Sequence, residues 1–213
     1  MPGSAQTRAA LVEGAIATLR EVGFAGASAR QIAQRSGCNQ ALIFYHFGTV
    51  RDLLLAALDD VSERRMAAYR ALLEGSGSFT ELVDSARSIF VEDLDAGHVT
   101  VLVEMITGAE SVPGLGQQVA DRLAPWREFA ETVVRRALSA APRPVAALLP
   151  AGEIAHGLVA GILGLEMLTN LDGDKTAALA LFDRGRALAG VLDMLGGPYG
   201  APRGESGQQT GGS

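Results

Sequence analysis

Residues 8–54 read as three short helices with a fourth beginning, and no other stretch narrows the possible folds as far. The middle of that stretch is SARQIAQRSGCNQALIFYHFG. Ser28 and Gln31 have the spacing of a capping box, which starts one helix. Ile32 and Ala33 fall on its inward face. Gly37 then supplies the turn. Asn39 caps a further helix over about 40–47, because its short amide can satisfy a free amide of the first turn. Two short helices joined by a glycine turn make a helix-turn-helix, whose second helix lies in the major groove of DNA.

The flanking residues agree with this reading. Over 6–22, Leu11, Ala15, Ile16 and Leu19 recur at helical spacing, and Gly23 fits a stop. The lead 1–5 reads as disordered. Gly48 breaks the chain, and Thr49 can cap a long fourth helix to about 73. Beyond Gly75 a helical stripe runs over about 79–97, followed by a shorter helix over 99–107. The segment 115–139 contains Pro125, which should kink or split it. Two more apolar helices occupy about 151–171 and 174–195. No strand alternation is visible, so the fold class is all-α: a three-helix DNA-binding domain at 6–50, then a larger helical ligand-binding and dimerisation domain at 51–196. The tail 197–213 is Gly, Pro, Ser and Gln with almost nothing apolar, which predicts disorder.

Charge bears directly on the DNA reading. The net charge is -6 and the pI about 5.1, which argues against nucleic acid if taken alone. Residues 1–50 nevertheless carry four arginines (Arg8, Arg20, Arg30, Arg35) against Glu13 and Glu21, a local excess of two positive charges. Binding follows the local patch. One cysteine excludes an intrachain disulfide framework and fits a reducing cytoplasm. Cys38 reads as a small packing residue. No uninterrupted apolar run of membrane-crossing length and no signal-peptide core stand out, so a cytoplasmic location with no membrane partner is expected.

The combined pattern R-x2-L-x3-A…G-F-x3-S-x-R-x-I-A-x2-S-G-x-N-Q-x-L-I-F-Y-H-F resembles the Tet-repressor (TetR) family of one-component transcriptional regulators. The resemblance covers about residues 8–58. It implies a homodimer that binds a palindromic double-stranded operator, represses transcription, and is released by a small molecule. By position, Arg30 resembles a base- or phosphate-contacting residue. Asn39, Gln40, Ala41 and Leu42 open the recognition helix, where Gln40 can pair with adenine N6 and N7. Phe44, Tyr45 and His46 end it, with the phenol and imidazole near phosphates. Thr49 and Arg51 begin the fourth helix, whose free amides can accept a phosphate. Phe24, Ile32, Phe44 and Phe47 are also candidates for the small domain's core. Two departures weaken the phosphate grip: Phe44 stands where the family often has tyrosine, and Val50 where it often has lysine.

The last two helices suggest the second domain's role. Gly157, Gly161, Gly164 and Leu168 share one helical face, and small residues admit another helix closely. With Leu181, Leu188, Leu192 and Leu195 on the final helix, they predict a four-helix dimer interface. The neighbouring face carries His156, Ala160, Leu163, Met167 and Asn170. Glu104, Met105 and Trp126 from other helices can join it in a pocket for an apolar or amphipathic effector.

Two other function classes are open to test. Catalysis has little support. The three histidines form no metal pair, no nucleophile or phosphate-binding motif is present, and no cofactor is called for. The alternative is a helical ligand-binding dimer that has lost DNA binding, motivated by the acidic pI, Phe44 and Val50.

Overall fold

A computed structural model describes residues 3–140 and 148–196, and the expected tail at 197–213 lies outside them. The described residues form helices and no strand. The N-terminal group is α1 (Ser4–Gly26), α2 (Ala29–Ser36) and α3 (Ala41–Phe47). The long α4 (Val50–Gly75) leads to α5 (Phe79–Ala96), α6 (His98–Ser111), α7 (Leu115–Arg122) and α8 (Ala124–Ala140). Then follow α9 (Ala151–Asp172) and α10 (Thr176–Gly196).

Most boundaries fall where the caps and breakers put them. Ser28 Oγ accepts from the Gln31 amide, and Gly37 closes α2 in the left-handed region at φ 65°. The capping box is only half made, because the Gln31 side chain accepts from Arg35 instead of turning back to Ser28. Asn39 Oδ1 accepts from the Ala41 amide at 2.8 Å, which starts α3. Pro125 divides the 115–139 segment into α7 and α8 and sits in the first turn of α8, where its missing N–H costs nothing. The helix start differs from expectation: α1 begins at Ser4, inside the lead expected to be disordered.

Gly23 does break α1, at φ 71° and ψ 179°, yet a short helical turn resumes after it. The break frees the Phe24 amide, which donates to Glu104 Oε2 on α6 at 2.7 Å. The Phe24 ring presses on Gly108 of α6, where a Cβ would come within 2.4 Å of it. A sharp bend at the end of α1 is thereby fixed onto α6.

The main core lies beneath these contacts. Leu11, Leu19, Ile32, Ile43 and Leu53 are fully buried, and the cluster continues through Val101, Met105 and Leu115 of α6 and α7. Burial of each such aliphatic side chain stabilises the fold by roughly 1.5–3 kcal/mol. The three-helix head therefore shares one continuous core with α4, α6 and α7. Two smaller clusters serve the other end: Phe79 with Ala189 between α5 and α10, and Ala130, Val134 and Ala155 between α8 and α9.

Candidate nucleic-acid interface and effector cavity

The helix-turn-helix leaves one face of the head open. Only Ile43 of α3 is fully buried. Gln40, Ala41, Phe44 and Tyr45 are exposed, Tyr45 at 80% and Phe44 at 50%. Phe44 is thus not the core residue its type suggests, because α3 has under two turns and only one of its sides can face inward. Leu42, His46 and Phe47 are half-buried, while Arg30, Asn39, Thr49 and Arg51 are exposed. Tyr45 and His46 meet edge to face, their ring centroids 4.9 Å apart. Arg8 stacks over the Phe47 ring at 4.9 Å, which brings a further guanidinium beside α3. Arg35 faces elsewhere, binding Glu21 at 2.7 Å and so fastening α2 to α1.

Sequence reasoning missed Asp52. Thr49 Oγ1 accepts from the Asp52 amide at 3.0 Å and donates to the Asp52 carboxylate at 2.6 Å. The first turn of α4 already carries an anion of its own, whose charge opposes a phosphate at that helix N-terminus. The spacing Thr-x-x-Asp carried that signal.

Beyond its midpoint, at Arg65 and Tyr69, α4 reaches a cavity of about 470 Å³. Leu82 and Val83 of α5, Val133 of α8, and Ile162 and Leu165 of α9 give it apolar walls. Tyr69, Trp126 and Phe129 form an aromatic corner, with Tyr69 edge-on to Trp126 at 5.6 Å and to Phe129 at 6.1 Å. The polar end belongs to Arg65 and Glu166. Arg65 Nη2 lies 2.7 Å from Glu166 Oε1 and 2.6 Å from Asp93 Oδ2, and the Asp93 carboxylate also meets His98 Nδ1 at 2.9 Å. Burial pushes the Glu166 carboxyl above its usual range, against the pull of Arg65. It raises the Tyr69 phenol in the same way.

Of the residues expected around a pocket, Trp126 and Leu163 line this cavity. Trp126 Nε1 donates to Ser62 on α4 at 2.7 Å. The others lie elsewhere. His156, Met167 and Asn170 are exposed on a face of α9 outside the cavity lining, because α9 is rotated to present Ile162, Leu165 and Glu166 instead. Glu104 is the acceptor for the bent end of α1, and Met105 is fully buried in the main core. Missed were Arg65, Tyr69, Phe129 and Glu166. Glu166 was the detectable one, a lone carboxylate within the apolar run of α9.

The outer surface of α9 and α10 is apolar. Leu168, Leu181 and Leu188 are exposed at 61%, 55% and 63%. Leu192 is half-buried against the α5–α10 cluster. At Gly157, Gly161 and Gly164 an added Cβ would meet no described atom within 4 Å, so these glycines are not packed against another of the described helices. Gly157 and Gly161 also line the cavity mouth. By length and composition α9 could cross a membrane, with a mean hydropathy of 1.4 over its most apolar window, only 17% of which is buried. Scanning for uninterrupted apolar runs overlooked it, because Glu153, His156 and Glu166 interrupt the helix.

Known proteins agree with this geometry. Residues 11–57 match the model of bacterial regulatory proteins of the tetR family. An uncharacterized HTH-type transcriptional regulator of Mycobacterium bovis is 30% identical over 107 residues, covering 50% of this chain and 54% of the relative. The chain thus spans about half the length of the curated relatives it matches. The fold extends further: a TetR-family regulator structure from Rhodococcus superposes with a TM-score of 0.67 at 20% identity, covering 90% of this chain and 99% of that one. FadR from Bacillus subtilis, solved in complex with stearoyl-CoA, gives 0.70 at 13% identity, covering 85% and 96%. The capped recognition helix lies inside the matched head, and the helical bundle behind it has the fold of the solved regulators: the chain carries a tetR-family segment at residues 11–57 within a fold shared with TetR-family structures.

Proposed function

We propose that the chain is a ligand-responsive repressor that binds a palindromic operator as a homodimer and lets go when an apolar or amphipathic effector fills the cavity. Residues 6–50 act as the DNA-binding unit and 51–196 as the sensing and dimerising unit, working in the cytoplasm where the operator is. One observation carries the reading: α4, capped by Thr49 two residues after the recognition helix, carries Arg65 and Tyr69 in the cavity wall. A compound seated between α5, α8 and α9 presses on α4, and α4 shares its core with the head. For release, the effector must bind the DNA-incompetent arrangement more tightly than the competent one. FadR's complex with stearoyl-CoA, an amphipathic molecule, supports a ligand with a long hydrocarbon body.

The exposed leucines of α9 and α10 support a second copy as their cover, with the glycines of α9 admitting its helix closely. Two-fold pairing there places two recognition helices against two half-sites. On the DNA, Gln40 reads a base edge, while Tyr45, His46 and Arg51 meet the backbone.

The test is a gel shift of the purified protein on its own upstream DNA at two salt concentrations. A discrete dimer band that resists competitor DNA and disappears with Gln40→Ala or Tyr45→Ala is the expected result. If an intact dimer selects no sequence from a random DNA pool, it is instead a ligand-binding protein that has lost DNA binding, the reading that Phe44, Val50 and the acidic pI favour.

A further inference from the structure

We propose that the effector is a lipophilic amine, whose protonated nitrogen pairs with Glu166 at the polar end of the cavity. This rests on the cavity being the effector site. The Glu166 side chain is 0% exposed, and one of its oxygens, Oε1, is taken by Arg65. The other, Oε2, is buried and has no hydrogen-bond partner among the described residues. A buried carboxylate oxygen without a donor costs a folded protein free energy, so the position is poised for a donor that arrives from outside.

Charge decides which donor. Two buried carboxylates, Asp93 and Glu166, face one guanidinium, and Arg65 already spends its Nε and Nη2 on them. His98, partly exposed, meets Asp93 from the far side and does not line the cavity. The cavity end of the cluster thus sets two carboxylates against one guanidinium, an excess of acidic groups that a cationic nitrogen matches. The neighbouring rings point the same way, since the faces of Trp126 and Tyr69 attract a cation, as the Arg65 guanidinium 5.3 Å from the Trp126 ring demonstrates. A carboxylate or phosphate head would find no cation but the committed Arg65 among the described lining residues. The remaining wall is aliphatic and takes a hydrocarbon body.

Trp126 is the sole tryptophan of the chain and stands in the cavity wall, so its fluorescence reports occupancy directly. The full-length protein would be titrated with decylamine, decan-1-ol and decanoate, three probes with one tail and different heads, each below its micelle concentration. The expected ranking puts decylamine roughly ten- to a hundred-fold tighter than the other two, the range of one charge-assisted buried hydrogen bond. Glu166→Gln should bring decylamine to parity with decan-1-ol, with helix content checked by circular dichroism. If that variant does not fold, the wild-type ranking decides alone. Decan-1-ol or decanoate binding as tightly as decylamine overturns the amine and leaves the cavity reading standing. Silence of Trp126 toward all three overturns the cavity reading and the amine together.

Discussion

The head and the far end of this chain solve the burial problem in opposite ways. In α1, Leu11, Ala15 and Leu19 are completely buried, and the same core takes in α2, α3 and half of α4. In α9 the buried residues are Ala155, Glu166 and Thr169, two of them polar, while Leu158, Leu168 and Leu171 face outward. The head is finished within one chain. The far end has two small core clusters, a cavity with mostly apolar walls and an exposed apolar outer face. Buried apolar contact is thus concentrated around the helix-turn-helix, and exposed apolar surface around the cavity and the outer face of α9 and α10.

The largest effect should come from breaking the far end's outer face. Leu168→Glu with Leu188→Glu should convert a dimer into a folded monomer by light scattering. Operator affinity should then fall by roughly a hundred-fold or more, since one half-site cannot hold the protein. A persisting dimer would put the interface elsewhere. Next, urea unfolding should separate the two regions: Leu19→Ala is expected to cost about 2–5 kcal/mol, whereas Leu171→Ala should stay within about 0.5 kcal/mol. Equal costs would erase the contrast. Third, Gln40→Ala should weaken operator binding by about 1–3 kcal/mol and leave the urea midpoint unchanged, because the side chain is exposed.

The smallest effect is a slope with pH. The folded state raises the Glu166 carboxyl above its ordinary value of 4.5, so the folded chain holds this proton more tightly than the unfolded one. Stability from this group is full below that ordinary value and is lost as pH rises through the raised one. Melting temperatures measured upward from about pH 4.5 should therefore decline less in Glu166→Gln than in the wild type. Asp193 contributes with the opposite sign and is common to both proteins. Although burial opposes it, the amides of Phe79 and Thr80 hold its carboxyl below the usual range. Parallel curves would place the proton elsewhere.

The head was legible in the sequence because its signals are local. Ser28, Asn39 and Thr49 each accept from an amide two or three residues on, Gly37 donates to the carbonyl of Ala33, and periodicity then fixes the inward face. Phe44 escaped because a seven-residue helix has too few turns for periodicity to choose a side. The cavity was legible only in part. Trp126 and Leu163 were found, but His156, Met167 and Asn170 were assigned to the wrong face of α9. A nearly uniformly apolar helix gives no stripe from which to read its rotation, and the rotation is set by α8, which lies outside its own sequence. Glu104 shows another limit: its partner is a backbone amide 80 residues away, exposed only because Gly23 bends α1.

Asp193, near the end of α10, takes the amides of Phe79 and Thr80 at the start of α5, and Arg186 grips Asp84 one turn further on. Those two helices are thereby clasped and travel as a unit. The opposite wall, α9, is held by apolar contact with α8 and by the buried Glu166–Arg65 pair with α4. Its outer side is also the surface assigned to the second copy. Gly157, Gly161 and Leu181 belong both to that surface and to the cavity lining, so under the proposed pairing an effector should load faster when the protein is diluted toward monomer: a regulator of this build would respond fastest when it is scarce.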